Sequence, residues 1–145
     1  MDTEVITVAT ADDRTRAYEI RLRVFVGEQG VPAAIELDER DAEAEHFLAR
    51  VDGRPGGTAR LLPSGRDGTA GVLGRLAVLP ECRGSGLGAT IVRAVEERAR
   101  ERGLTALELH SQTSARGFYE RLGYAAFGPE EIEAGIPHVW MRKDL

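Results

Sequence analysis

The sequence is poor in several features that would assign it to a particular class of protein. It has one cysteine in 145 residues, Cys82, so it cannot form an internal disulfide framework and a reducing compartment is expected. It contains no run of about 18 apolar residues, so no transmembrane helix is predicted. Its first residues are acidic, where a secretory signal would be basic and then apolar. We therefore expect a cytoplasmic protein without a membrane partner.

The chain also lacks an excess of positive charge. Its 19 Lys and Arg residues stand against 24 Asp and Glu residues, which gives a formal net charge of −5. A phosphate backbone is bound mainly by clustered positive charge, so nucleic acid is not an expected partner. The histidines and the cysteine show no metal-ligand spacing, so no metal is expected. The acidic balance suits a cationic small substrate, although solubility alone is the more ordinary reason for it.

What the sequence does contain is apolar periodicity along its whole length. No repeat or linker divides it, so residues 1–145 are expected to form a single domain. The segment 33–45 is predicted to be irregular. The order of the other elements implies a mixed, mainly antiparallel sheet of six to seven strands with helices on both faces. Strands are predicted at 4–9, 46–51, 57–62, 70–79, 105–109, 124–127 and 139–141. A first helix is predicted to begin at Asp12 or Asp13, and two more are predicted at 86–102 and 114–122.

A glycine-rich stretch begins the strongest predicted helix. Backbone N–H groups at a helix start lack intrahelical partners, and the helix dipole makes that position favourable for anions. Glycines let a diphosphate approach closely, and the arginine can add a charge and hydrogen bonds. We therefore predict a diphosphate site here, although the glycines could instead serve tight helix packing. The residues are Arg83, Gly84, Ser85, Gly86, Leu87, Gly88 and Ala89.

The same stretch also satisfies the fingerprint of dinucleotide-binding folds. The pattern G-x-G-x-x-G/A covers residues 84–89, and Glu108 follows about 20 residues later. However, residues 80–83 separate the first glycine from its strand, and the chain lacks the further βαβ units of a parallel sheet. A nicotinamide-dependent oxidoreductase is therefore the less favoured alternative.

Two motifs together resemble the GNAT superfamily of N-acetyltransferases. The family signature Q/R-x-x-G-x-G/A is matched by Arg83, Gly86 and Gly88, and residues 118–124 (FYERLGY) resemble the family's fourth helix and sixth strand. The resemblance extends to both ends of the chain. The chain resembles the ElaA/YjcF-like branch of this superfamily at residues 23–32 and 135–138 and at Asp38 and Asp41.

The resemblance implies an α/β fold in which the fourth and fifth strands splay apart around an acetyl-CoA site. Backbone groups of Leu76, Ala77 and Val78 would bind the pantetheine arm, and the amides of residues 83–89 would bind the pyrophosphate. The implied reaction moves an acetyl group to a primary amine of a small molecule or peptide by direct attack in a ternary complex. A non-catalytic CoA-binding sensor or interaction domain is the alternative from another class.

Two residues are candidates for catalysis. Tyr119 would lie near the thioester sulfur as general acid, as the resemblance implies, or would simply pack its helix against the sheet. The fourth strand offers no carboxylate as a base, a departure from many relatives. Glu108 and His110 alternate with leucines on the next strand, and His110 is the candidate base, although such a polar strand face is often merely solvated. The N–H of Val78 is the candidate donor to the oxyanion.

The acceptor site has weaker signals. Phe25 and Glu28 are the candidate contacts to the acceptor; Phe25 lies on a probable helix, and Glu28 lies beside it, just after the helix. Asp38 and Asp41 could shape the pocket, but a solvated loop is the more ordinary interpretation. The remaining histidines are expected to be structural. Strands at the sheet edge could also pair across a homodimer.

Overall fold

The computed structural model describes residues 2–63 and 68–145. Over these residues the strands are β1 (Thr3–Thr7), β2 (Glu45–Val51), β3 (Arg54–Leu62), β4 (Ala70–Val78), β5 (Ala106–Gln112), β6 (Ala125–Glu133) and β7 (Ile136–Asp144). The α-helices are α1 (Ala11–Arg21), α2 (Ala33–Glu36), α3 (Leu87–Glu101) and α4 (Arg116–Arg121). The strands form one sheet in the order β1-β2-β3-β4-β5-β7-β6. In this described part, neighbouring strands are antiparallel except β4 and β5, which confirms the predicted mixed, mainly antiparallel sheet.

Helices cover both faces of the sheet, as predicted. α3 and α4 pack on one face, where α3 contacts inward-facing residues of β3, β4 and β5. α1 packs on the opposite face against β2 and β4. Removing these apolar side chains from water fixes α3, and with it the loop that precedes the helix. The buried stripe of α3 comprises Leu87, Ile91, Val92, Val95 and Ala99.

One residue of α3 departs from its predicted orientation. Helical periodicity alone places Glu96 on the polar, solvent-facing side of α3, but it is only 4% exposed. Its carboxylate accepts hydrogen bonds from the Tyr124 hydroxyl at 2.8 Å and from the Lys143 ammonium at 3.1 Å. A buried charge is tolerated when it is paired in this way. Periodicity within a helix cannot reveal partners that arrive from later strands.

α1 begins at a threonine rather than at the predicted aspartates. The Thr10 hydroxyl caps the helix and accepts a hydrogen bond from the N–H of Asp13 at 3.1 Å. Asp12 and Asp13 lie in the first turn, where negative charge suits the positive end of the helix dipole. α1 continues into a π-helical segment, Leu22–Glu28, whose wider turns are typical of functional sites.

Two segments contain more regular structure than predicted. The supposedly irregular residues 33–45 hold α2 and a 3₁₀ turn at Glu39–Ala42. β6 and β7 were predicted as short strands, but each has 9 residues and together they form a long hairpin. Ala134 and Gly135 at its turn have φ values of 52° and 77°, which suit a two-residue connection.

β4 and β5 pair at one end only. Their parallel register joins residues 70–72 to residues 106–108, and then the strands separate. Beyond this point β4 carries one extra residue relative to its other neighbour, β3. Arg75 in this bulge has a φ of 54°, in the left-handed region. A bulge bends its strand, so β4 leaves β5 and the predicted splayed pair is present.

Replacing Gly57 with alanine is expected to lower the free energy of unfolding by about 1–3 kcal/mol, because the added methyl overpacks the contact of α3 with the sheet. A Cβ at Gly57 would lie 2.6 Å from Cδ1 of Ile91 and 3.1 Å from the carbonyl oxygen of Ala77. Urea unfolding measures the loss. Gly74→Ala is the matched control, since its Cβ would approach only Nε of Arg60, at 3.8 Å. Equal stability of the two variants would contradict this packing argument.

Candidate active site

A cleft of about 490 Å³ lies where β4 and β5 separate. Phe118 and Tyr119 of α4 line it from one face of the sheet, and Phe25 of the π-helical segment lines it from the other. Leu76 of β4 and His110 of β5 line it from the strands on either side. Residues predicted separately for cofactor, acceptor and catalysis therefore meet in one cleft.

The cleft side of β4 presents backbone hydrogen-bonding groups. The N–H of Leu79 donates to the carbonyl of Gly56 in β3 at 2.9 Å. Successive residues of a strand direct their backbone groups to opposite edges, so those of Val78 point away from β3. Consistently, the Val78 carbonyl accepts a hydrogen bond from Nε of Arg83 at 3.0 Å. The Val78 amide is therefore directed toward the side that β5 has left.

The loop before α3 adopts a conformation that favours glycine at two positions. Gly84 and Gly86 both have a φ of 81°, and a Cβ at either would meet nothing within 4 Å. The reason for glycine is therefore backbone conformation rather than space. Within the described chain, no side chain caps the start of α3. The N–H groups of Leu87, Gly88 and Ala89 in its first turn are thus available to an anion.

Other residues of the predicted cofactor segment serve packing. A Cβ at Gly88 would lie 3.3 Å from Cζ of Phe118, so at this position the packing interpretation of the glycines holds as well. The side chains of Leu87 and Ala77 are buried in the two cores on opposite faces of the sheet. The Ser85 hydroxyl donates to a backbone carbonyl inside the loop at 2.7 Å, which stabilises the turn.

Arg83 and Glu28, predicted for different ligands, bind each other. The Arg83 guanidinium donates two hydrogen bonds to the Glu28 carboxylate, at 3.0 and 2.7 Å. The hydrogen bond from Arg83 lowers the pKa of Glu28. Arg23 makes a similar two-point pair with Glu81, at 2.7 and 2.8 Å. These pairs join the π-helical segment to the turn at Pro80–Cys82 and to the glycine-rich loop that follows it. Glu28 lies outside the residues that line the cleft.

Tyr119 combines burial with an uncommitted hydroxyl. It is 9% exposed and lines the cleft, yet its hydroxyl has no hydrogen-bond partner among the described residues. Burial raises the pKa of Tyr119 above the ordinary value for a phenol. Tyr124, whose ring centre lies 5.9 Å away, instead donates its hydroxyl to Glu96. Tyr119 is thus the phenol that is free to act in the cleft.

His110 belongs to a cluster that sequence reasoning missed. We call His110, Glu131, Glu133, His138 and Trp140 the acidic rim; all of them except Glu131 line the cleft. The His110 ring stacks on the Trp140 ring with 4.7 Å between ring centres, and its centre lies 4.9 Å from that of the His138 ring. Its Nδ1 lies 3.2 Å from Glu133 Oε2, and its Nε2 lies 3.6 Å from Glu131 Oε1. The hairpin of β6 and β7 brings these side chains together, and its length was not predicted.

Glu108, the other polar residue of the predicted β5 face, serves a different purpose. As predicted, it shares a face with His110, opposite Leu107 and Leu109. It is buried, however, and its carboxylate accepts a hydrogen bond from Arg142 at 2.9 Å. It does not line the cleft. Glu108 therefore pairs with β7 rather than facing the acceptor.

A buried ion network fixes the wall of the cleft opposite the acidic rim. Arg21 is 1% exposed and donates to Glu36 at 2.9 Å and to Asp41 at 2.7 Å. Arg60 donates to Asp38 at 2.8 Å and to Asp41 at 2.9 Å. The expectation of solvated aspartates is therefore wrong for Asp41, which is buried. Burial opposes its ionisation, but the arginine hydrogen bonds outweigh that effect and lower the pKa of Asp41.

Glu36 and Arg75 complete the network. Burial raises the pKa of Glu36, even though Arg21 donates to its carboxylate. The Arg75 guanidinium lies 3.1 Å from the Glu36 carboxylate and donates to Asp38 at 3.2 Å. Since Arg75 sits in the bulge of β4, the network ties α1 and α2 to the point where β4 bends.

Two glutamines connect the walls of the cleft. Gln112 at the end of β5 donates its side-chain N–H to the side-chain oxygen of Gln29 at 2.8 Å. Gln29 follows the π-helical segment, so this bond spans from one wall to the other. Both positions look like ordinary polar termini in the sequence, so no local signal identified them.

His46 is buried away from the cleft. His46 lies 2.9 Å from the Asp41 carbonyl through Nε2, and burial lowers its pKa, as expected of a structural histidine. Across residues 2–63 and 68–145, no group of three or more His, Cys, Asp or Glu side chains is placed to hold a metal ion. The helices in that same part of the chain are too short or too polar to span a bilayer.

Comparison with known proteins agrees with this geometry. Residues 9–145 match the family described as Acetyltransferase (GNAT) domain. The chain is 43% identical over 139 residues to BSU40680 of Bacillus subtilis (strain 168), named as a candidate acetyltransferase, and the alignment covers 94% of this chain and 92% of that protein. It is 40% identical over 129 residues to YjcF of the same organism, named as an uncharacterized N-acetyltransferase, with 88% and 90% covered. The chain belongs to the GNAT acetyltransferase family.

Solved structures show the same fold. A candidate N-acetyltransferase from Lactobacillus plantarum superposes with a TM-score of 0.90 at 33% identity, covering 99% of this chain and 98% of that chain. ElaA of Escherichia coli superposes with a TM-score of 0.84 at 22% identity, with 98% of each chain covered. The resemblance drawn from the glycine-rich and FYERLGY motifs is confirmed.

Proposed function

We propose that this protein is a cytoplasmic, acetyl-CoA-dependent N-acetyltransferase that moves an acetyl group to a primary amine of a small molecule or peptide. Membership of the GNAT family makes acyl transfer the expected class of reaction. The observation that carries the proposal is the separation of β4 and β5 directly beside an uncapped, glycine-rich helix start. That arrangement joins an anion-binding position to a cleft containing a free phenol.

The cosubstrate would bind along β4 and the loop. The Val78 amide, with the backbone of Leu76 and Ala77, would hydrogen-bond the pantetheine arm as an added strand does. The N–H groups of residues 83–89 would bind the pyrophosphate. Arg83 could turn from Glu28 to a phosphate oxygen, because its side chain is 46% exposed and that of Glu28 is 36% exposed.

Acyl transfer to an amine needs an oxyanion donor, a proton for the departing thiolate and a neutral amine. The Val78 N–H would stabilise the oxyanion. Tyr119 would donate the proton, because it lines the cleft with an uncommitted hydroxyl and a phenol is protonated at neutral pH. Burial raises the pKa of Tyr119, which opposes this donation, so bound acetyl-CoA would have to shift the balance between phenol and thiol. His110 is the proposed base; since its ring nitrogens face Glu131 and Glu133, the amine proton would reach it through water.

Replacing Gly84 with aspartate is expected to raise the Kd for CoA by about 10-fold or more, because a carboxylate would then lie beside the diphosphate. Titration calorimetry measures the affinity. Gly103→Asp is the matched control: its φ is 78°, its Cβ would also meet nothing within 4 Å, and it lies at the other end of α3, about 22 Å away. An equal loss in both variants would contradict the placement of the diphosphate.

Thiol release from acetyl-CoA across a panel of amines tests the reaction itself. Release that depends on the amine and saturates is the expected result. Saturable CoA binding without release on any amine would instead indicate a non-catalytic CoA sensor. Absence of binding by the folded protein would end the proposal altogether.

A further inference from the structure

We infer that the acceptor carries a second positive charge, as a diamine or a basic peptide does, and that Glu133 of the acidic rim binds that charge. This inference rests on the proposed function, because it concerns the acceptor of the same cleft. Glu133 lies at the end of β6 and is 53% exposed, so a ligand in the cleft can reach it.

Hydrogen-bond acceptors face one another in the acidic rim. Nδ1 of His138 lies 2.7 Å from the carbonyl oxygen of Ile136 and donates its hydrogen to it. In the neutral ring, Nε2 therefore carries no hydrogen and presents a lone pair. This lone pair lies 3.5 Å from Oε2 of Glu133. When Nδ1 of His110 donates to the same oxygen, its Nε2 faces Glu131. That Nε2 is buried and has no hydrogen-bond partner among the described residues.

An ammonium group supplies what these acceptors lack. It brings three donors and a positive charge, whereas a carboxylate ligand would add acceptors and a repulsive charge. Trp140 lines the same part of the cleft and stacks on His110. Its ring face adds a cation–π surface, which for tryptophan is the strongest of the aromatic side chains.

Charge on the opposite wall is already neutralised. The arginines that line the cleft there are Arg40, Arg60 and Arg75, and each has a carboxylate partner within the described residues. The buried network contains three arginines and three carboxylates, so its formal charge is zero. The carboxylates of the acidic rim therefore dominate the charge of the acceptor side.

The nitrogen bound by the rim differs from the nitrogen that reacts. A reacting amine must be neutral and must approach the edge of β4 near Val78 and Tyr119. Apart from His110 on β5, the rim residues lie on the hairpin of β6 and β7, on the side of β5 that faces away from β4. A ligand that reaches both places needs a cationic group separated from its nucleophile by a short chain.

Intrinsic fluorescence tests this inference without turnover, because Trp140 is the single tryptophan of the sequence. Three amines with a four-carbon chain differ only at the far end: putrescine ends in a second ammonium group, n-butylamine in a methyl group and γ-aminobutyrate in a carboxylate. Titrations with each amine at about pH 8, in buffer that contains EDTA, should show a Kd for putrescine about 10-fold or more below that for n-butylamine. Binding of γ-aminobutyrate should be weaker still.

Glu133→Gln should remove the preference for putrescine over n-butylamine. Glu130→Gln is the matched control, because Glu130 is an exposed carboxylate on the same strand and changes the net charge equally. The rates of steady-state thiol release with the same amines should follow the same order as their affinities. The difference between putrescine and n-butylamine should exceed the advantage that putrescine gains simply from having two equivalent amino groups. Retained CoA binding shows that each variant is folded.

The outcomes separate the two proposals. A charge preference lost only in Glu133→Gln supports the inference. Equal binding of putrescine and n-butylamine, or a preference unchanged in Glu133→Gln, overturns it even when acetyl transfer occurs. A putrescine preference without any CoA binding would instead overturn the proposed acetyl transfer.

Discussion

Tyr119→Phe is expected to lower kcat for acetyl transfer by about 100-fold or more, the scale of a lost general acid. The free energy of unfolding and the CoA affinity should change little, because the Tyr119 hydroxyl has no hydrogen-bond partner in the described chain. Phenylalanine also keeps the ring and its edge contact with Phe118 at 5.0 Å. Thiol release under saturating acetyl-CoA and amine measures kcat.

Tyr124→Phe is the control, because it should lower the stability of the protein and leave kcat unchanged. The Tyr124 hydroxyl donates to buried Glu96 at 2.8 Å, so its removal should cost about 1–3 kcal/mol of unfolding free energy. Its kcat should stay close to that of the native protein, since Tyr124 does not line the cleft. An unchanged kcat in Tyr119→Phe would reduce Tyr119 to a packing residue.

Arg21→Ala is expected to destabilise the protein by about 3–5 kcal/mol, because it leaves buried carboxylates without their partner. Arg21 binds Glu36 and Asp41 with distances of 2.9 and 2.7 Å, and all three side chains are at most 8% exposed. Urea unfolding measures the effect. The α2 region should also become more susceptible to proteolysis, because Arg21 additionally donates to the Glu36 carbonyl at 2.6 Å.

Arg23→Ala is the matched control for the network. Arg23 lies two residues further along the chain and also binds a carboxylate, but its pair with Glu81 is more than half exposed. Exposed pairs contribute little, so its unfolding curve should remain close to that of the native protein. If both variants were equally stable, the buried network would contribute no more than a surface pair.

Local features of the fold could be predicted from the sequence. α3 was found because its buried residues recur at helical spacing, and the loop before it because glycines at a helix start have a specific physical use. The long hairpin could not be predicted in full, because residues 128–133 are mostly polar and exposed and show no alternation. Register between distant strands is set by tertiary pairing, which local propensity does not encode.

Some residues of the candidate site could likewise be predicted from the sequence, and others could not. Tyr119 and the residues around Gly86 lie in contiguous motifs, so the sequence alone is enough to propose them. Glu133 and Trp140 come from separate strands, and their meeting with His110 depends on the register of three strands. Asp41 was expected to be solvated because its partners Arg21 and Arg60 lie 20 and 19 positions away in the chain. Charge pairing across such separations leaves no periodic signal.

The surplus residue in β4 has an evolutionary consequence. The groove exists because a one-residue length difference between adjacent strands bends the backbone, not because a large insertion was added. With the acceptor bound by Glu133, as inferred above, the bulge that opens the sheet and the residues that select the acceptor lie in separate parts of the gene. Substitutions on the last hairpin would then change the acceptor while the bulge in β4 stays the same, which suits a scaffold shared by many enzymes.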